Sequence, residues 1–248
     1  MVGYHNTLPF LHGLRAQADA YDLILDVPSE CLSYFDRGEA DVALVPIGAL
    51  LVHDDHRVIT DYCIGCVGAV ETVCIYAHRP IGELDKIFLD SDSRTSQVLT
   101  KILCRNHWNI DVEFEEREVR SLRPDELRDS EGVLMIGDKA FGAEEQYDFV
   151  YDLGNEWQSM TDLPFAFAVW IARPDFPQSE ISKLNEALSI GVEDLELVLS
   201  HHKALDQKVD LRTYFERYIE YHYDDQKKEA HSLYRKYWKV MQSELVEQ

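Results

Sequence analysis

Short apolar runs recur along the first two thirds of the chain, and stretches with helical periodicity separate them. The runs predict strands at residues 21–28, 39–46, 62–77, 86–90, 111–120, 132–138, 149–153 and 163–172. From residue 177 onward the pattern becomes helical and charged, which predicts helices at 179–188, 210–221 and 224–245. Strands that alternate with helices are typical of α/β proteins, and we therefore predict that class.

Asn6-Thr7-Leu8-Pro9 stands where a very short predicted strand gives way to a helix. Asn6 or Thr7 can cap that helix, and Pro9 fits its first turn because proline has no N–H to satisfy there. In α/β proteins, a helix that starts at the carboxyl end of a strand is a common place to hold a small anion. An ordinary capped helix is the competing interpretation of the same residues.

A second helix start combines hydroxyl side chains with a cation. The helix after the strand at 86–90 has an apolar face made of Val98, Leu99, Ile102 and Leu103. That face fixes the first turn at Ser93-Arg94-Thr95-Ser96. Three hydroxyls and a guanidinium beside free backbone N–H groups can bind a carboxylate or a phosphate. The alternative is an N-cap with a solvated arginine.

Charge and composition narrow the range of partners. A formal net charge of −22 over 248 residues argues against nucleic acid and against anionic membrane surfaces. An anionic ligand therefore needs local compensation from hydroxyls, helix N-termini or an arginine. The sequence contains no apolar stretch of about twenty residues and no signal pattern, so we expect a cytoplasmic protein that acts on a small molecule.

The cysteines are few and scattered. Cys63 and Cys66 form one C-x-x-C pair, but no second pair or nearby histidine cluster completes a metal site. We expect all five cysteines to be reduced and mostly buried thiols. Phosphate-loop, nucleophile-elbow and zinc-protease motifs are missing as well, so no catalytic class follows from motifs alone.

Four segments, taken in order, resemble the chorismate dehydratases of the futalosine route to menaquinone. They are Asn6-Thr7-Leu8-Pro9-Phe10 with Gly13-Leu14; residues 38–46; Asp90 with Ser93-Arg94-Thr95-Ser96; and Asp152-Leu153-Gly154 with Trp157 and residues 163–170. The resemblance covers nearly the whole chain. The chain departs from the family pattern in its short first strand, in His5 and in the Cys63–Cys66 pair.

The resemblance implies a type II periplasmic-binding-protein-like fold, with two α/β lobes, a ligand cleft and two crossing strands. Lobe I would comprise residues 1–73 and 172–248, and lobe II residues 74–171. The crossings would lie near residues 72–77 and 168–172.

The family reaction removes water from chorismate and gives 3-[(1-carboxyvinyl)oxy]benzoate, with no metal and no cofactor. Carried over, the resemblance makes Asn6 the catalytic residue. Substrate binding would fall to Thr7, Thr72, Ser93, Arg94, Thr95, Ser96 and Asp138. Two other functions remain open on the same fold, namely a small-anion binding protein and the dihydroxynaphthoate synthase of the same route. A transcription-factor effector domain is disfavoured, because the chain is acidic and has no helix-turn-helix candidate.

Overall fold

The computed structural model describes residues 1–17, 19–52, 56–119, 122, 124–206 and 209–246. Its helices are α1 (Leu8–Ala16), α2 (Pro28–Asp36), α3 (Arg94–Asn106), α4 (Leu153–Thr161), α5 (Gln178–Glu193), α6 (Leu195–His201), α7 (Lys203–Asp206), α8 (Leu211–Thr213) and α9 (Asp225–Val246). Its strands are β1 (Val42–Pro46), β2 (Arg57–Cys66), β3 (Val73–Ala77), β4 (Lys86–Asp90), β5 (Glu113–Arg117), β6 (Glu131–Ile136), β7 (Phe149–Asp152), β8 (Phe165–Ala172) and β9 (Glu220–His222). No helix in this described part of the chain is both long enough and apolar enough to cross a membrane.

The chain forms two compact units, and each is discontinuous in sequence. The first unit contains Met1–Cys66 and Ala166–Asp224, and the second contains Val67–Phe165 and Asp225–Gln248. The main chain therefore passes from one unit to the other three times, after Cys66, Phe165 and Asp224. The sequence prediction placed two crossings, one within residues 72–77 and one within 168–172.

The first unit is built on a four-stranded sheet in the order β1-β8-β2-β9. β8 runs antiparallel to β1, with Val42 opposite Ala172 and Pro46 opposite Ala168. The fully buried ring of Phe10 from α1 makes edge contacts with Tyr62, Trp170 and Tyr221. Edge-to-face ring pairs stabilise a core beyond the area that they bury.

Helices α1 and α5 of the first unit pack with their backbones in direct contact. A Cβ atom added at Gly13 would lie 1.8 Å from the carbonyl oxygen of Ala187, and one added at Gly191 would lie 1.8 Å from that of Pro9. No side chain fits at such distances. The two glycines therefore permit the close approach of these helices.

The second unit is built on a five-stranded sheet in the order β5-β4-β6-β3-β7. β4 is parallel to β5 and β6, whereas β3 is antiparallel to β6 and β7. The central strand β6 is buried along its whole length. α3 follows β4 directly and buries Val98, Leu99, Ile102 and Leu103, as the apolar pattern predicts.

The last helix, α9, belongs to the second unit. Tyr234 is fully buried, and its ring makes edge contacts with Trp157 and Phe165. Its hydroxyl donates a hydrogen bond of 3.1 Å to the carbonyl oxygen of Thr95. The aromatic residues of α9 therefore complete the second core, whereas the resemblance assigned all of residues 172–248 to the first lobe.

Residues 21–28 do not form the predicted strand. Within the described residues, this segment takes part in one isolated parallel bridge, between Val2 and Asp26. The side chains of Ile24 and Leu25 are 38 % and 42 % exposed, so the apolar run is not buried against the sheet.

The predicted strand at 62–77 is two strands, β2 and β3, separated by a turn. Gly68 and Glu71 lie in that turn with φ of 79° and 67°, which takes them out of extended geometry. Glu71 is one of few non-glycine residues that adopt this left-handed conformation here.

Two further predictions of secondary structure are also wrong. The helix predicted at 210–221 is a short turn, α8, followed by one π-helical turn at Tyr214–Tyr218 and by strand β9. The sequence also predicts a turn that begins at Glu156-Trp157, but Trp157 lies on helix α4. The predicted strand at 111–120 is shortened to β5 at an edge of the second sheet, and its residue 120 lies outside the described residues.

Candidate functional site

Thr7 stands at the N-cap of α1, but its side chain does not cap that helix. The hydroxyl oxygen lies 2.8 Å from the carbonyl oxygens of both Val2 and Tyr4, which share its single proton. Thr7 is 2 % exposed. Its hydroxyl therefore holds the segment before α1 in place.

Asn6 directly precedes Thr7. Its main-chain oxygen has a hydrogen-bond partner, whereas its side-chain oxygen has none among the described residues. The main-chain carbonyl oxygen accepts a hydrogen bond of 3.0 Å from the hydroxyl of Tyr221. The side-chain oxygen Oδ1 is buried and has no hydrogen-bond partner among the described residues. An unsatisfied buried acceptor costs about 1–3 kcal/mol, so Asn6 holds an amide oxygen ready to accept a hydrogen bond.

Two of the three hydroxyl side chains at the start of α3 are engaged in contacts within that helix start. Ser93 is the N-cap, and its Oγ accepts a hydrogen bond of 3.2 Å from the N–H of Ser96. The two serine hydroxyl oxygens lie 3.0 Å apart. Ser93, Thr95 and Ser96 are all buried. The N-cap interpretation of Ser93 is therefore correct.

Arg94 differs from these neighbours because its side chain is exposed. It forms no hydrogen bond and no ion pair with any residue that the structure describes. Its guanidinium carries a permanent positive charge at the start of α3. It is a cation that an anionic ligand could use.

A buried ion pair stabilises the base of this helix start, and the sequence analysis missed its cationic member. Asp90, at the end of β4, is fully buried, and the Nζ of Lys139 lies 2.6 Å from its Oδ2 and 2.8 Å from Oδ2 of Asp92. Burial raises the pKa of Asp90, while Lys139 opposes that rise. Lys139 follows Gly137-Asp138 at the end of a buried strand, and this position is the feature of the sequence that could have identified it.

Thr72 and Asp138 lie at the same end of the second sheet as Asp90. The N–H of Gly137 donates to the carbonyl oxygen of Thr72 at 2.8 Å, and the N–H of Ile136 donates to Oδ2 of Asp90 at 3.2 Å. Thr72 is 1 % exposed, whereas Asp138 is partly buried on a short 3-10 turn.

Asp152 proves to be structural. Its carboxylate caps α4 by accepting from the N–H groups of Gly154 and Asn155. It also accepts from the N–H groups of Val70 and Glu71 at 2.9 and 2.6 Å. One carboxylate thus fixes both the start of α4 and the turn that carries the left-handed Glu71.

The predicted site residues therefore fall into two groups, each described within its own unit. Asn6 and Thr7 belong to the first unit. The second unit brings together, at one end of its sheet, Thr72, Ser93, Arg94, Thr95, Ser96 and Asp138.

The described residues contain no group of three or more histidine, cysteine or acidic side chains suited to a metal ion. All five cysteines are buried thiols, as the sequence predicts.

Solved structures define the class to which this fold belongs. Protein AF1704 of Archaeoglobus fulgidus superposes with a TM-score of 0.73 at 15% identity, covering 97% of this chain and 96% of that one. The CA3427 gene product of Candida albicans, reported to have the generic periplasmic binding protein fold, superposes with a TM-score of 0.56 at 12% identity, covering 89% and 79%. The chain has this fold, as the family resemblance implies.

The family model described as menaquinone biosynthesis matches residues 1–239, and the chain belongs to that family. Over 213 residues it is 28% identical to the chorismate dehydratase of Thermus thermophilus, an alignment that covers 76% of this chain and 75% of that protein.

Proposed function

We propose that this protein is a chorismate dehydratase, a hydro-lyase that eliminates water from chorismate to give 3-[(1-carboxyvinyl)oxy]benzoate. The observation that carries the proposal is the alignment with the Thermus thermophilus chorismate dehydratase over three quarters of both chains. Two side chains support it: the amide oxygen of Asn6 could accept from a substrate hydroxyl, and the guanidinium of Arg94 suits a substrate carboxylate.

The reaction removes one proton and one hydroxide, which leave together as water. The proton comes from the ring carbon that bears the enolpyruvyl ether, and the hydroxide leaves from the neighbouring carbon. The electrons of the broken C–H bond form the new ring double bond, so the ring becomes aromatic and no net oxidation occurs. Because aromatisation is downhill, the protein mainly has to orient the dianion and stabilise charge as it develops.

Asn6 is proposed to bind at the reacting centre. An amide is too weak a base to remove a carbon-bound proton, but its oxygen accepts and its nitrogen donates hydrogen bonds. A hydrogen bond from the amide nitrogen to the departing hydroxyl would stabilise the charge that develops there. Substrate would supply the partner that Oδ1 lacks among the described residues.

Arg94 is proposed to bind a substrate carboxylate. The dipole of α3 adds to its attraction for an anion at this helix start. Ser93, Thr95, Ser96 and Thr72 would line the binding site, and Thr7 would hold Asn6 in position. The ion pair of Asp90 with Lys139 would keep the α3 start fixed relative to the end of β6.

The proton acceptor is proposed to be the side-chain carboxylate of chorismate itself, because the buried acids of the matched segments have other roles: Asp90 pairs with Lys139, and Asp152 caps α4. Asp138 is the competing candidate, since it is partly buried at the same end of the sheet. Turnover retained in Asp138→Asn would support the substrate carboxylate. A near-complete loss of kcat would assign the role to Asp138.

The test of the overall function is to mix the purified protein with chorismate and follow absorbance and mass. The expected product is lighter than chorismate by about 18 Da and has an aromatic spectrum. Chorismate that binds without conversion would instead favour the small-anion binding protein. Chorismate that neither binds nor reacts at high protein concentration would contradict the proposal.

Variants with matched controls test the two roles. Asn6→Ala should lower kcat by about a hundredfold or more, as expected when one charge-stabilising group is removed. Asn185→Ala, in the same unit, should leave kcat unchanged. Arg94→Ala should raise KM by about tenfold or more, whereas Arg105→Ala on the same helix should not. An active Asn6→Ala protein would return Asn6 to a purely structural role.

A further inference from the structure

Histidine side chains from α1 and from the end of α6 lie together in the first unit. The rings of His12 on α1 and His201 on α6 are neighbours, with centroids 5.2 Å apart and planes tilted by 31°. His202 follows directly in the chain, and Arg15 lies one helical turn after His12. We call these four residues the histidine cluster.

His202 responds to the positive charge of the other members of the histidine cluster. The pKa of His202 is lowered, first by burial and then by the charges of His201, Arg15, His12 and His5. Interactions between charges are screened within about 8–10 Å at physiological salt, so the side chains that act on His202 lie near it. The cluster therefore gathers groups that are, or can become, cations.

The histidine cluster is accessible from solution. Arg15 and His201 are exposed, and the side chains of His12 and His202 are partly exposed. None of the four forms a hydrogen bond or an ion pair within the part of the chain that the structure describes. Their N–H groups are therefore available to a ligand that arrives from the solvent.

Acidic side chains on the elements around the cluster bind other groups. Helix α1 carries no acidic residue. On α6, Glu196 forms an ion pair with Arg212, and the carboxylate of Asp194 caps the helix by accepting from the N–H of Leu197. On α7, Asp206 accepts from the main-chain N–H of Arg212. These acids thus have partners outside the histidine cluster.

Two further charged residues stand at the ends of neighbouring helices. Glu193, the last residue of α5, acts on Tyr62, whose pKa is raised by burial and then by this charge. Lys203, the first residue of α7, is exposed and adds a further cation next to His202 in the chain. The local charge is therefore positive, in contrast to the net charge of −22 of the whole chain.

We infer that the histidine cluster is a binding site for a small, doubly charged oxyanion of the sulfate or phosphate type. The planar guanidinium of Arg15 suits such a group because it donates two parallel hydrogen bonds to oxygen atoms. Imidazole rings add N–H donors, and they gain positive charge under mildly acidic conditions. The described residues contain no group of three or more histidine, cysteine or acidic side chains suited to a metal ion, so the cluster is not a metal centre.

Protonation of the cluster and binding of the anion should reinforce each other. Two neighbouring imidazolium rings repel, and a bound dianion offsets that repulsion. The affinity for the anion should therefore rise as the pH falls, while Arg15 stays charged and retains weak binding at higher pH. The inference does not depend on the proposed reaction, because none of the four residues is assigned to it.

The test follows the imidazole resonances of the ten histidines in ¹⁵N-labelled full-length protein, with sodium sulfate as the probe. Sulfate remains a dianion across the range used, so a pH effect reports on the protein. At about pH 6, sulfate should shift the His12 and His201 signals in a saturable way, with Kd on the order of millimolar. At about pH 8 the affinity should be at least about tenfold weaker, as expected when binding takes up a proton.

Sodium chloride holds the ionic strength constant throughout, so that screening does not change between samples. His201→Gln identifies the His201 signal by its loss. The signal of His78, which lies in the second unit beside Asp148, serves as the internal control and should not move.

Variants at exposed positions separate the contributions to binding. Arg15→Gln and His201→Gln should each weaken sulfate binding at pH 6 by about tenfold, the value of a charge-assisted hydrogen bond. Lys239→Gln removes an exposed cation from the second unit and should change the affinity less than about twofold. Arg15→Lys keeps the charge without the planar fork and should give an intermediate loss, which guards against an effect of Arg15→Gln on folding.

Three results would overturn the inference. The first is that the His12 and His201 signals stay fixed at high sulfate concentration and pH 6. The second is that sulfate binds equally well at pH 6 and pH 8, which would remove the histidines from the site. The third is that Lys239→Gln weakens binding as much as His201→Gln does, which would show an effect of net charge alone.

Discussion

Buried polar side chains of similar appearance in the sequence have distinct roles at the scale of single residues. Asp152 accepts four backbone N–H groups and caps a helix, whereas Oδ1 of Asn6 has no partner among the described residues. Both stand in short segments that resemble the same family. The sequence identified these residues, but it could not separate the cap from the ligand-binding candidate, because the difference depends on the N–H groups of Val70 and Glu71, far away along the chain.

Asp152→Asn tests the structural role. An amide has only one acceptor oxygen, and its NH₂ would face N–H groups that need acceptors. We expect a loss of about 2–3 kcal/mol of unfolding free energy, measured by denaturant titration. Asp129→Asn, at an exposed ion pair with Arg79, is the matched control and should change stability by less than about 0.5 kcal/mol. Equal stability of the two variants would contradict the capping role.

His231 on α9 makes stability depend on pH. Burial, with a smaller contribution from Arg235, lowers the pKa of His231 to about 4. Since the unfolded chain binds this proton more readily, the contribution to stability is complete above the ordinary pKa of about 6.5 and is lost as the pH falls toward 4. At pH 5 the loss should be about 2 kcal/mol relative to pH 7.

Denaturant titration at several pH values checks this expectation. His231→Gln should flatten the decline between pH 7 and pH 5, whereas His222→Gln, at an exposed position, should leave it unchanged. A decline that is the same in wild type and His231→Gln would assign it to other groups.

At the scale of elements, the density of apolar residues in a segment decides which predictions of strands and helices are correct. Strands β1, β4, β6 and β8 and helix α3 carry dense apolar runs or a clear apolar face, and they are found where the sequence predicts them. Strand β9 has three residues and forms through pairing with Tyr62 and Gly65, so its local pattern could not reveal it. The failed strand at 21–28 shows the converse, because its apolar residues are not buried.

The contact of α1 with α5 gives a sharp element-scale prediction. Gly13→Ala places a methyl group against the carbonyl of Ala187, so the helices must separate. We expect a loss of about 3 kcal/mol or more in unfolding free energy. Gly82→Ala, where the added carbon meets no atom within 4 Å, should cost less than about 1 kcal/mol. A fully stable Gly13→Ala protein would show that the helices can move apart freely.

At the scale of the whole molecule, the alternation of strands and helices predicts the α/β class, and the resemblance adds two lobes. Neither predicts that α9 completes the second unit, because that follows from the contact of Tyr234 with Trp157 and Phe165. An amphipathic helix indicates which face it buries but not which core receives that face.

Shortening the chain tests this assignment. A protein that ends at Asp224 should expose Trp157, with a red-shifted fluorescence spectrum and loss of cooperative unfolding of the second unit. A protein that ends at Gln242 keeps Tyr234 and loses the ion pair of Arg105 with Glu244, which should cost less than about 1 kcal/mol. Native fluorescence in the shorter protein would contradict the role of α9.

The position of α9 also has a consequence for synthesis on the ribosome. Phe165 and Trp157 leave the ribosome well before Tyr234, the residue that covers them. A nascent chain therefore carries an open aromatic surface until its last helix emerges, and such surfaces favour aggregation or chaperone capture. Premature stop codons in α9 ahead of Tyr234 should for this reason yield insoluble or degraded products, even though every residue of the proposed reaction has already been translated.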